Sequence, residues 1–315
     1  MALPGGFLGV GHDGGTMYFN SMMVVAPELQ LGVFTSANTD TAAPFVHGLP
    51  GAIVEHFYAA PIPPRPGSAE LKAAAGAYTG LFLQNRRAYG GLEGFVMSLI
   101  NITPVRVSED GHLIMGAYRF SPVGDLASGR FAADQNPSII GVTLQNGRAQ
   151  RIFLPGGAVV LERVGFGHDP NILAFMTVMA VVAALGTLIG LFFRNRRDTR
   201  ETTTQARASL IQTIQAILWL LAIGGLALFA AGASDQAEVV FSWPAPSIFI
   251  ASACALVAAV LTLVTLGMAP FVWRGGRRVD SWTLGRKARF TFTALVYLSF
   301  SIVLMIWGAL EPWSG

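Results

Sequence analysis

The sequence predicts an α+β protein: a β-rich water-soluble half comes first, and a domain of four membrane-crossing helices follows. Three observations predict this. Residues 171–315 carry four long apolar runs with no formal charge in their interiors. The stretches between residues 70 and 164 alternate short β-type runs with tight-turn dipeptides. The two halves differ sharply in composition: 52% of the chain is apolar and only 12% charged, against about 25% charged in ordinary soluble domains, and the excess sits in the second half.

Residues 1–60 read as a glycine-rich strand, a hairpin and a helix. Ser21–Ala26 and Leu31–Ser36 are apolar runs joined by Pro27-Glu28-Leu29-Gln30. Ala42–Tyr58 is helical in pattern, with Phe45, Leu49, Ile53, Val54 and Phe57 recurring near the helical period; Pro50 kinks this helix or marks its start. Residues 61–69 form a stiff proline-rich linker. Residues 70–164 are expected to make a small antiparallel, barrel-like domain, with hairpins at Asp110-Gly111 and Asn146-Gly147, dipeptides that tolerate positive φ.

The spans are expected at 171–193, 210–232, 248–273 and 290–310, each long enough for a hydrocarbon core of about 30 Å. Eleven of the 21 basic residues fall in two loops. Arg194, Arg196, Arg197, Arg200 and Arg207 follow the first span; Arg274, Arg277, Arg278, Arg286, Lys287 and Arg289 follow the third. The stretch between the second and third spans has only Asp235 and Glu238, and the tail has only Glu311. By the positive-inside rule, loops 194–209 and 274–289 face the cytoplasm, and the soluble half faces the periplasm or cell exterior from a bacterial inner membrane. Trp273, Trp282, Trp307 and Trp313 lie where interfacial anchors are expected. The lipid bilayer is therefore the expected partner. The basic charge belongs to loops beside apolar helices, so nucleic acid is not an expected one. Without intramembrane charges, an anchor is a better expectation than a transporter. The histidines, His12, His47, His56, His112 and His168, show no metal-ligand spacing, and neither a metal nor another cofactor is inferred.

Gly11-His12-Asp13-Gly14-Gly15-Thr16, followed by Asn20-Ser21 and a hairpin ending Ser36-Ala37-Asn38, resembles the third motif of the serine β-lactamase-related family. That family includes β-lactamases, penicillin-binding D-alanyl carboxypeptidases and related esterases, many with His-x-Gly-Gly-Thr at this place. The β-rich segment near Ala77-Tyr78-Thr79-Gly80 is similar to an accessory domain that follows some of these catalytic domains. The resemblance implies that residues 1–60 are the carboxy-terminal part of a β-lactamase-like sheet and helix. It also implies that His12 is an electrostatic or proton-handling group and that the Gly15 amide is an oxyanion-hole donor, with Asp13, Gly14 and Thr16 completing the motif.

The family's Ser-x-x-Lys is missing, since the only lysines are Lys72 and Lys287. Tyr18-Phe19-Asn20 matches the second motif by letters but follows the third immediately, so it is read as packing. No signal peptide opens the chain. These departures lead to the expectation of a membrane-anchored fragment of a serine hydrolase acting on peptidoglycan peptides, β-lactams or esters. It would be inactive alone, and its missing amino-terminal catalytic portion would be a partner. The other reading is a non-enzymatic, membrane-anchored β-domain that binds an envelope partner or ligand.

Overall fold

The computed structural model describes residues 1–60, 63–134, 138–193, 200–233, 236–274 and 281–314. Pro61, Ile62, Arg194, Arg196, Arg197, Asp235, Arg277 and Arg278, and the side chain of Glu238, lie outside the described residues. The chain divides into two compact units: Met1–Arg86 with Asn101–Val164, and Arg87–Ile100 with Gly165–Gly315.

In the first unit, β1 (Val10–Gly15), β2 (Asn20–Ala26) and β3 (Leu31–Ala37) pair antiparallel in the order β1-β2-β3. The turn at Pro27–Leu29 is a single 3-10 turn closed by Gln30 at φ 51°, which sets Ala26 opposite Leu31. Side chains alternate between faces at period two. Met22, Val24 and Ala26 go inward and are covered by α1 (Ala43–Tyr58); Met23 and Val25 go outward. The buried stripe of α1 is Val46, Pro50 and Val54, spaced four residues apart. This differs from the expected stripe, for Phe45 and Phe57 are 62% and 70% exposed. Pro50 lies inside the helix and does not start it.

After α2 (Ala69–Ala73) and α3 (Ala75–Tyr78) come the strands of a closed antiparallel barrel. They are β4 (Gly80–Gln84), β5 (Ile102–Val107), β6 (Leu113–Met115), β7 (Tyr118–Pro122), β8 (Arg130–Ala133), β9 (Ile139–Gln145), β10 (Arg148–Phe153) and β11 (Val160–Arg163), and β9–β10 and β11–β4 pairing completes the ring. The β9–β10 turn has Asn146 at φ 51° and Gly147 at φ 71°, as a two-residue hairpin of primed type needs. The Asp110-Gly111 connection is a longer loop, with only Gly111 left-handed. Phe82, Phe131, Ile140 and Ile152 fill the interior, and Tyr78 stands edge-on to Phe131 at 5.6 Å.

The described part of the linker is strapped to this barrel. The Arg65 amide donates to Asp134 Oδ1 at 2.7 Å, Ser121 Oγ donates to the Pro66 carbonyl at 3.0 Å, and the Ser68 amide donates to the Gly111 carbonyl at 2.9 Å. His112 Nε2 lies 3.0 Å from the Arg65 carbonyl, which can only accept. Nε2 therefore carries a proton, and Nδ1 lies 3.0 Å from an Arg119 nitrogen and 3.2 Å from Asp110 Oδ1. Asp110 holds this corner together. Hydrogen bonds from Ser108 first, then from His112 and Arg119, keep its carboxyl well below the usual carboxylate range.

The second unit contains α4 (Gly91–Ile100), α5 (Pro170–Phe192), α6 (Thr203–Gly232), α7 (Gln236–Phe241), α8 (Pro246–Arg274) and α9 (Leu284–Ile306). Four of these, α5, α6, α8 and α9, are long and apolar enough to cross a membrane, and the chain is a multi-pass membrane protein. α6 begins seven residues before the expected span because Thr202 and Gln205 form a reciprocal capping box ahead of the apolar run. Two of the four expected tryptophan anchors face protein instead: Trp282 and Trp307 are 4% and 3% exposed, while Trp313 is 72% exposed. α4 was not expected. It interrupts the barrel sequence between β4 and β5 but packs in the second unit, with Phe95 6.2 Å from Trp307 and the Leu92 amide 3.3 Å from Ser314 Oγ. Burial, and then the Arg87 charge, hold the nearby His168 imidazole below its ordinary range.

Two outcomes are expected. Phe131→Ala should remove about 3–5 kcal/mol from the barrel, read as lost amide-exchange protection across β7–β9. The ionised Asp110 stabilises the fold above its unfolded pKa of about 3.9, and that contribution fades as pH falls below it toward the depressed folded value. Asp110→Asn should therefore flatten the acid limb of barrel stability below about pH 4 and lower stability at neutral pH, as acid titration by circular dichroism would show.

Candidate functional site

The residues singled out by sequence all lie on or beside β1, and every one of them is exposed. Gly11 pairs with Val24, His12 with Met23, Asp13 with Met22, Gly14 with Ser21 and Gly15 with Asn20. Directly opposed residues share a face, and Met23 in turn pairs with Phe34. His12, Met23 and Phe34 therefore form one row across the sheet, on the face turned away from α1. Val10 and Val25 form the adjoining row with Gly32. Val10 is 75% exposed, Phe34 71%, Met23 48% and Val25 44%. This is a bare apolar sheet face with one imidazole on it. Asp13 falls on the opposite parity from His12, so the motif is not gathered at one point. Thr16 lies in the turn after β1, its amide bonded to the Phe19 carbonyl at 2.8 Å.

Two of the three glycines of β1, Gly11 and Gly14, have a local reason to be small, whereas a Cβ on Gly15 would come no nearer than 3.8 Å to Asn20 Oδ1. A Cβ on Gly11 would strike the Met23 carbonyl oxygen, and one on Gly14 would come within 2.8 Å of Ser21 Oγ. Close strand approach accounts for them without any substrate. Tyr18 is 46% exposed in the turn, and Asn20 donates to the Thr39 carbonyl at 3.0 Å, which is a packing role.

The first unit also holds a cleft of about 640 Å³, within the range of small-molecule sites. It lies on the α1 side of the sheet. Met22 and Val24 form an apolar wall, His47 and Glu55 of α1 stand on the rim, and Tyr118 and Ser138 come from the barrel side. His12, on the other face, takes no part in it. Among the described residues no hydrogen bond joins His47, Glu55 and Tyr118. Sequence reasoning missed both the cleft and the bare face. The signal for the face was legible: Met22-Met23-Val24-Val25-Ala26 is apolar on both parities, the pattern of a strand covered on two sides.

No family model matches the chain, and no curated protein matches it. Among solved structures, a crystal structure of SurE with D-Leu is similar over 49% of this chain and 35% of that one, at 20% identity and a TM-score of 0.24. A likeness that weak carries no argument about fold or function. The expected membership of the serine β-lactamase-related family is corrected on these grounds. No family model and no curated protein relates the chain to β-lactamases or penicillin-binding proteins, and the sheet present here has three strands. A short string of glycines around His12 arises readily wherever two strands approach closely.

The two faces of the sheet should respond differently to substitution. Val24→Ala on the covered face should destabilise the first unit by about 2 kcal/mol, whereas Phe34→Ser on the bare face should change stability by less than about 0.5 kcal/mol. Chemical denaturation followed by hydrogen exchange would compare them. A large loss from Phe34→Ser would show that the face is covered from within the chain.

Proposed function

We propose that this protein is a membrane-anchored binding protein, without catalytic activity of its own, whose amino-terminal sheet docks a protein partner. One observation carries the reading: a sheet apolar on both faces has a helix on only one of them. Contiguous bare apolar surface on a folded protein marks an interaction site. Here it adjoins β1, whose outer edge is unpaired among the described residues. An extended segment of the partner can add to that edge by main-chain hydrogen bonds while its side chains cover Val10, Met23, Val25 and Phe34. His12, in the same row, supplies a polar contact that fixes register.

The four spans hold this module at a membrane surface. Arg200, Arg207, Arg274, Arg286, Lys287 and Arg289 all sit in or beside the connections between α5 and α6 and between α8 and α9, which supports a cytoplasmic position for that end and an extracytoplasmic one for the binding module. A bacterial inner membrane suits this arrangement.

The test is site-specific photo-crosslinking in intact cells, from a benzophenone side chain at position 34 and, as control, at position 106 on the barrel. One discrete adduct from position 34 alone, lost when Val25→Glu is added, is the expected outcome. An adduct at twice the mass of the chain would show that the face pairs with a second copy. No adduct from position 34, or equal smears from both positions, would remove the reading.

A further inference from the structure

At the basic end of the four-helix bundle lies a pocket unlike the rest of its interior. Thr187 of α5, Ser209 and Gln212 of α6, and Trp282, Arg286 and Arg289 at and near the start of α9 line a cavity of about 20 Å³. That is room for one oxygen-sized group. The lining carries hydroxyl, amide and guanidinium groups and no acidic residue; Thr187 Oγ1 donates to the Ala183 carbonyl at 2.8 Å, and Gln212 Nε2 spends one of its two hydrogens on the Phe290 carbonyl at 3.0 Å. The nearby acid, Glu201, is already engaged: its Oε2 accepts from Arg286 at 2.9 Å and from the Trp282 indole at 2.7 Å. Arg286 is 10% exposed and stacks over Trp282 at 4.2 Å, so its charge is matched and its position fixed.

Arg289 is different. It is exposed, and no ion pair to it exists among the described residues. It lies one turn beyond Arg286 on the same face of α9. A Cβ built on Gly190 would come within 3.2 Å of both its terminal nitrogens and 3.5 Å of Cζ, so the guanidinium lies against α5 where that helix has no side chain. A guanidinium is thus held beside a polar cavity with no acidic side chain in its lining, near the ends of three helices that cross a bilayer. Basic pockets of this kind between membrane helices suit phosphate-bearing head groups, and an arginine fork matches two oxygens of one phosphate.

We propose that this pocket binds the phosphate group of an anionic phospholipid: Arg289 grips two of its oxygens, and a third enters the cavity among Thr187, Ser209 and Gln212. The inference rests only on α5, α6 and α9 lying in a bilayer, and it is independent of what the amino-terminal sheet binds.

The experiment is native mass spectrometry of the full chain in detergent, titrated separately with phosphatidylglycerol, phosphatidylcholine and inorganic phosphate. Phosphatidylglycerol should bind in preference to phosphatidylcholine. Arg289→Gln should weaken it about fivefold, the factor expected when one basic residue beside an anionic head group is lost. Arg289→Lys should recover part of the loss, and Arg274→Gln, whose guanidinium sits over Phe271, should leave binding unchanged. Equal binding of both lipids, or equal losses from Arg289→Gln and Arg274→Gln, would overturn the site. Displacement of the lipid by inorganic phosphate at similar concentration would overturn the lipid as its source.

Discussion

Every part of this molecule is shaped by one demand: polar backbone groups withdrawn from water must be paired, and apolar faces must be covered. The barrel meets the demand by closing, so that none of its eight strands is left with an edge. The membrane helices meet it by pairing their backbone within each segment, the solution that hydrocarbon imposes on a spanning chain that is not a barrel. The amino-terminal sheet is the exception. Its strands end at β1 and β3, and α1 covers only one of its faces. The proposed function follows from that shortfall, because an uncovered apolar face is stable in water only at a free-energy cost that a partner removes.

The same demand explains the polar side chains inside the bundle. Gln205, Gln212 and Gln215 recur along α6 and are almost wholly buried. Gln205 donates to the Val272 carbonyl at 3.1 Å and to Ser281 Oγ at 3.0 Å, and accepts from the Trp282 amide at 3.0 Å. It thereby ties the end of α8 to the start of α9 across the intervening loop. Gln212 donates to the Phe290 carbonyl, and Gln215 to Thr262 Oγ1 at 2.9 Å. In lipid each such bond contributes only about 1 kcal/mol, so their larger role is to fix which helix faces meet. Apolar surfaces alone would leave the helices free to rotate.

What was legible in the sequence follows the range of the interactions involved. The hairpins at Pro27–Gln30 and Asn146-Gly147 depend on residues within a few positions of each other, and local chemistry sufficed to read them. The four spans depend on composition over about twenty residues, and they too could be read, although the start of α6 could not, because its capping box lies outside the apolar run. The membership of α4 was hidden. Gly91–Ile100 is too short to span, and only contacts with Trp307 and Ser314, more than 200 residues away, assign it to the helical unit. The Arg65–Asp134 and His112–Arg65 bonds were equally hidden, since nothing in a proline-rich stretch shows which barrel residues will hold it. The candidate site was legible only in part. His12 and its glycines were noticed, but a six-residue string could not reveal that His12 and Asp13 point to opposite faces until strand register was known.

Strand register also decides between the two places in the first unit where something could bind. The cleft on the α1 side has the larger enclosed volume, but its walls are those that the fold already needs, since Met22 and Val24 are buried by Val46 and Val54 whether or not a ligand is present. Filling it relieves no exposed surface. The outer face is the reverse case: Val10, Met23, Val25 and Phe34 gain nothing from the fold as described and would gain from cover. A side chain that stabilises the protein in isolation needs no binding partner to explain it, whereas Phe34, at 71% exposure in the middle of a strand, does. The face opposite α1 is therefore the better candidate, and His12 belongs to it by position in the pleat, with no appeal to the motif that first drew notice to it.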